Sequence, residues 1–166
     1  MLPIVGIGHV VYYSLDPSRV AAFYQDVLEL NVAERVGDEA IFLRGASSKT
    51  DFDIGFVRVP KGSCVIPTHP RLGVYHVALS IATLEGFVSA HDRLVKGGHA
   101  VGSADHGSHL SVYAVDPDGN ETEVCWYTPV EEWKSRGFGF RPLDLHREIH
   151  NRSAQAAGCS KKEKAG

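Results

Sequence analysis

Gly8-His9-Val10-Val11-Tyr12-Tyr13, a β-branched and aromatic run near the start of the chain, reads as a strand. Its like returns as Val74-Tyr75-His76-Val77-Ala78-Leu79, so that His76 holds in the second run the place that His9 holds in the first. The stretch after each run repeats as well. Asp16-Pro17-Ser18 offers a helix cap, and Val20, Phe23, Tyr24, Val27 and Leu28 then recur at helical spacing. In the second half Leu84, Phe87, Val88, His91, Leu94 and Val95 form the matching stripe, stopped by Gly97-Gly98. Residues 40–44 and 52–59 read as strands that complete the first half. Residues 110–115 and 122–127 complete the second, joined by the tight turn Asp116-Pro117-Asp118-Gly119. Gly55 and Glu123, separated by the same interval as the two histidines to within a residue, hold matching places on the two last strands. Self-similarity at one fixed period marks a duplicated module.

The boundaries follow from this pattern. Module 1 spans about residues 4–60 and module 2 about 71–127, with the linker from Lys61 to Arg71 carrying Pro67 and Pro70. An arm containing Pro and Gly runs over 128–145, and 146–166 reads as a polar terminal helix or tail. At 166 residues the chain suits one domain made of two small modules with a shared core. A net charge of −3 gives no basic footprint for nucleic acid and no polybasic anchor for membrane. The one basic cluster, from Lys161 to Lys164, lies in the tail. No apolar run approaches the roughly 20 residues of a membrane span, and the start lacks the charged region of a secretory signal. Cys64, Cys125 and Cys159 form no CxxC pair and are odd in number. A disulfide framework is not expected, and a reducing cytoplasm is the natural setting.

The chemistry is concentrated in three residues. A lone histidine on a strand is usually packed or on the surface, and a lone glutamate is usually solvated. Two histidines at the same place in a duplicated module are a stronger signal. If the modules pair about a pseudo-twofold axis, their first strands flank one cleft, and each can project an imidazole into it. The strand bearing Glu123 brings a carboxylate to the same place. His9, His76 and Glu123 are therefore the expected ligands of one divalent ion. Two imidazoles and one carboxylate leave positions open for substrate and suit Fe(II) chemistry with oxygen, although Mn(II) fits the same set. Gly55, the counterpart of Glu123, has no side chain to offer as a fourth ligand.

Gly8-His9-Val10-Val11, residues 23–30, Tyr75-His76-Val77-Ala78 and residues 113–123 together resemble the vicinal oxygen chelate superfamily of glyoxalases, bleomycin-resistance proteins and extradiol dioxygenases. The similarity is greatest to single-domain catechol-type extradiol dioxygenases and covers roughly residues 4–145. His106, Tyr113, Asp116-Pro117, Gly119 and Glu123 nearly reproduce the extradiol signature; Ala104 is the main departure from it. The resemblance implies an α+β fold, with paired βαβββ modules forming a cupped, barrel-like mixed sheet around a metal cleft. It implies a ring-cleaving dioxygenase that takes a small catechol-like aromatic and O2, with Fe(II) as the metal and Mn(II) or Zn(II) as alternatives. By position, His9, His76 and Glu123 match the metal ligands, Tyr113 the substrate-hydroxyl tyrosine, and His106 a histidine that hydrogen-bonds near the substrate. A homodimer is implied by analogy.

One departure bears on the reaction. The family carries a proton-handling histidine on the last strand of the first module, and Phe52 stands about where it is expected. A phenyl ring transfers no proton. Asp51, Asp53, His69 and His106 are the residues available to replace it. A thiol transferase or lyase on the same scaffold, or a resistance-type binder without catalysis, therefore stands as an alternative. Tyr13, Phe52, Phe56 and Tyr113 are expected to line an apolar pocket. His99 and His109 are expected at the surface, and His146 and His150 solvated on the terminal helix. Trp126 and Trp133 are expected in packing roles.

Overall fold

The computed structural model describes residues 2–60, 63 and 72–153 of the chain; Cys64, His69 and Cys159, and most of the expected linker, lie outside them. The first half runs β1 (Val10–Ser14), α1 (Pro17–Leu28), β2 (Asn31–Val36), β3 (Ala40–Arg44) and β4 (Ile54–Arg58). The second runs β5 (His76–Ser80), α2 (Leu84–Lys96), β6 (Ala100–Asp105), β7 (His109–Val115) and β8 (Glu121–Tyr127). An arm then carries α3 (Val130–Arg136) and β9 (Arg141–Pro142), and residues 145–153 form α4.

The strands make two open mixed sheets, ordered β1-β4-β3-β2 and β5-β8-β7-β6-β9. Among the described residues neither closes into a barrel, and the two share no ladder. Each half is a βαβββ module, and the duplication extends to fine detail. β1 lies parallel to β4 with Val11 opposite Gly55, and β5 lies parallel to β8 with Ala78 opposite Glu123. The register shift between Val32 and Glu34 in β2 recurs at the matching place in β6, between Ala100 and Gly102. Asp16 caps α1 by accepting from the Arg19 N–H, and its counterpart Thr83 caps α2 by accepting from the Gly86 N–H.

Strand alternation sorts each sheet into a helix-covered face and a cleft face. Ile41, Leu43, Ile54 and Phe56 bury beneath α1, and Leu110, Val112, Ala114 and Val124 beneath α2, in one continuous cluster with the apolar stripes of both helices. The turn between β7 and β8 ties the modules together. The Asp118 carboxylate accepts from the Ser14 hydroxyl and pairs with Arg19 at 2.7 Å. The Tyr24 hydroxyl donates to Asp116, whose carboxylate also accepts the N–H groups of Asp118 and Asn120. The turn thus sets the register of Glu123 and docks module 1 as well. Burial raises the pKa of Asp116 above the ordinary aspartate value.

Phe56 is a correction to the expected pocket lining. It falls on the helix face of β4, fully buried against Tyr12 and Tyr24. Its neighbour Gly55 takes the cleft face instead. A Cβ on Gly55 would stand 2.8 Å from the Phe42 ring and 3.3 Å from Val11, so the ring of Phe42 covers the place where module 2 carries Glu123.

Candidate metal centre

The cleft face of the second sheet carries the chemistry. In register, Glu123 on β8 lies between Ala78 on β5 and Tyr113 on β7, with Ser111 opposite Cys125 one step along. Glu123 is 5% exposed, so its charge needs compensation. Its Oε1 accepts from the Ser111 hydroxyl and lies 3.5 Å from His109 Nε2. Its Oε2 lies 3.0 Å from His76 Nε2. Among the described residues, only histidines pair with this carboxylate.

His76 itself is incompletely satisfied. Among the described residues its Nδ1 is buried without a hydrogen-bond partner, and a carboxylate oxygen of Glu121 is 3.7 Å away. A metal-bound imidazole typically donates its second N–H to a carboxylate. A buried carboxylate touching one imidazole nitrogen, with a second carboxylate near the other, is therefore a donor set that fits a divalent cation.

His106 and Tyr113 converge on the same face. His106 Nε2 lies 2.8 Å from the Tyr113 hydroxyl, and its Nδ1 lies 3.1 Å from the Gly139 carbonyl. Its ring stacks on His109 at 4.5 Å. Tyr113 reaches the other side too, with its ring 5.7 Å from that of His76. His106, His109 and Glu123 offer ligand atoms within 4.8 Å of one another and could hold a metal ion. His109 is thus not the surface residue expected from sequence: it is half-buried against Glu123. Burial and the adjacent His106 lower its pKa below the ordinary imidazole value, which keeps it neutral near pH 7. Only its cross-strand place opposite Tyr127, one step beyond Ser111, could have revealed it, and that requires the β7–β8 register.

His9 is not brought to this group. It precedes β1 in the other sheet, exposed, with its ring stacked on Phe52 at 4.3 Å; Phe52 in turn packs on Phe42 at 4.8 Å. Asp53, a candidate proton carrier, is occupied. Burial alone would raise its pKa, but the Ser48 and Thr50 hydroxyls and the Gly45 N–H outweigh that and hold it below the usual carboxylate range. Cys125 is a buried free thiol whose pKa burial pushes up to about 11, which leaves it inert. His99, also expected at the surface, packs edge-on against Phe23. Trp126 lies against the core beneath Arg152, and Trp133 donates to the Thr128 carbonyl.

The model of the Glyoxalase-like domain family matches residues 9–125, which takes in both modules from His9 to Cys125. The chain belongs to this family. The Glyoxalase-like domain is part of the vicinal oxygen chelate superfamily, and the solved neighbours have the same fold. A glyoxylase/bleomycin resistance protein/dioxygenase domain from Frankia sp. EAN1pec superposes with a TM-score of 0.61 at 19% identity, over 76% of this chain and 95% of that one. A glyoxalase/dioxygenase from Nostoc punctiforme gives 0.61 at 16% identity, over 78% and 97%. A catechol-2,3-dioxygenase from Bacillus subtilis is 33% identical over 70 residues, 42% of this chain and 25% of that relative, so the match spans about a quarter of the curated protein. Among the described residues of this Glyoxalase-like protein, no helix is long and apolar enough to cross a membrane.

Proposed function

We propose that this protein is a metal-dependent, extradiol-type dioxygenase that opens the ring of a small catechol-like aromatic. The observation carrying this reading is the 3.0 Å approach of His76 to buried Glu123 on the face where Tyr113 and His106 converge. His76 and Glu123 supply two of the three ligands. The third is His9 of the partner subunit in a homodimer, because His9 of the same chain is held against Phe52 in the other sheet. Fe(II), when bound, supplies Lewis acidity toward vicinal oxygens and one-electron chemistry with O2.

The chain's own residues do the rest. Glu123 is oriented by the Ser111 hydroxyl. Tyr113 meets a substrate hydroxyl beside the ion, and His106 Nε2 fixes the Tyr113 hydroxyl. His109, half-buried, stands beside Glu123 with its Nε2 toward the carboxylate. Phe52, Phe42 and Tyr13 give the opposing face an apolar, aromatic surface suited to a ring.

Phe52 favours a second reading. With a phenyl ring where a proton-handling histidine is expected, a non-oxidative reaction with Mn(II) or Zn(II), of the thiol-transferase or lyase type, uses the same ligands. Metal analysis of protein purified from its own host separates the two, iron supporting the first and manganese or zinc the second. Anaerobic loading with Fe(II), then exposure to O2 with a panel of catechols, should give ring-cleavage chromophores. Absence of product across the panel from iron-loaded protein would exclude the dioxygenase.

A further inference from the structure

The C-terminal arm reaches back over the His106 turn and makes a reciprocal pair with it. The Gly139 N–H donates to the His106 carbonyl at 3.2 Å, and the Gly139 carbonyl faces His106 Nδ1 at 3.1 Å. A carbonyl oxygen only accepts, so Nδ1 carries the proton. In a neutral imidazole Nε2 is then a bare acceptor, and the atom facing it at 2.8 Å is the Tyr113 hydroxyl. The phenol proton is therefore directed at His106, and Tyr113 Oη is left to accept, from Ser111 beside it or from the cleft.

The contact is built tightly on both sides. Gly107 has φ +85, and a Cβ there would lie 1.8 Å from the Gly137 carbonyl oxygen, so only glycine lets the arm sit this close. Arg141 pairs with Asp105 at 3.3 Å and Arg136 with Asp105 at 3.2 Å, while the β6–β9 ladder sets Asp105 opposite Arg141. Arg136 also donates to the Gly107 carbonyl. Phe140 closes edge-on against the His106 ring at 5.4 Å.

We propose that the arm is a positioning device. Through the Gly139 carbonyl it locks His106 in the Nδ1–H form, which makes Tyr113 an acceptor toward bound ligand and selects ligands that present a hydroxyl donor there. The selectivity for a donor rests on the proposed function; the tautomer and its cause do not.

The test is 15N NMR of histidine-labelled full-length protein, without added metal or substrate, at a pH above the ordinary imidazole range. His106 should show a protonated, pyrrole-type Nδ1 and a pyridine-type Nε2 shifted by hydrogen bonding. Tyr113→Phe should move Nε2 toward the free pyridine-type position and leave Nδ1 unchanged. Arg141→Ala, at a half-exposed residue, should release the arm and turn the single tautomer into a mixture. An Nε2–H tautomer in the unaltered protein overturns the proposal, as does an unmoved Nε2 signal in Tyr113→Phe. A single tautomer in Arg141→Ala, with amides of residues 137–140 exchanging freely, would show that something other than the arm sets it. None of these readings depends on catalysis, so they stand apart from any failure to cleave catechols.

Discussion

At the scale of single residues, the two modules hold the same frame with opposite chemistry. Where module 2 sets Tyr113 against Glu123, module 1 sets Phe42 against Gly55. Replacing the phenol by a phenyl ring and the carboxylate by hydrogen leaves an aromatic plug that excludes even a methyl group. Gly55→Ala is therefore an overpacking change as well as the loss of a glycine. It should destabilise the protein by about 1–3 kcal/mol in denaturant titration, with the slope unchanged. A neutral result would mean that Phe42 swings away and that the plug is loose. In the sequence His9 and His76 stand out because the duplication repeats their place; of the two, His76 lies beside Glu123 and His9 is stacked on Phe52. His109 has no such counterpart. It becomes a neighbour of Glu123 only through the pairing of β7 with β8, which no residue in the chain announces by itself.

Whole elements are legible in proportion to their periodicity. α1 and α2 carry apolar stripes and capped ends, and β1, β5, β7 and β8 carry β-branched runs, so all six can be read directly. β2 is exposed along its whole length and β6 is built from small residues, so neither shows the alternation that marks a half-buried strand. β9 is two residues long and exists by virtue of its pairing with β6. That pairing depends on Asp105. Burial alone would raise the pKa of its carboxyl, but the Gly107 N–H with Arg141 and Arg136 hold it below the ordinary aspartate value. A depressed carboxyl pKa adds stability at pH values above the unfolded-state value, and that stability is lost as pH falls through the folded-state one. The arm should therefore undock below about pH 4. Hydrogen exchange should show residues 137–142 losing protection there before β7 and β8 do. Simultaneous loss in all three segments would place the acid-sensitive contact elsewhere.

At the scale of the whole molecule, the proposed site is completed by a second copy of the chain. The strand faces bearing His9, Val11 and Tyr13 in one sheet and His76 in the other share no ladder, and the modules meet through their helices and the Asp116–Gly119 turn. Leu2, Ile4, Val5 and Ile7, leading into His9, stand exposed, as do Val74 and Tyr75, leading into His76. Two exposed apolar approaches to two half-sites are a poor surface for a monomer and a suitable one for a closed, twofold dimer. In such a dimer module 1 of each copy faces module 2 of the other, and each site draws on both chains. Subunit exchange then makes a sharp prediction. His9→Ala and Glu123→Ala should each lose metal binding, by more than the roughly 10–100-fold that a residue behind the ligands costs. Mixed in equal amounts and refolded together, the two dead variants should recover metal binding, because half of the pairs are mixed and each mixed pair has one intact site and one doubly broken one. About a quarter of the original capacity should return if pairing is random. Recovery requires His9 and Glu123 to act from different chains. If each variant remains a dimer by sedimentation yet the mixture stays empty, the ligands belong to one chain; if His9→Ala keeps its metal, the cluster of His106, His109 and Glu123 becomes the site to pursue.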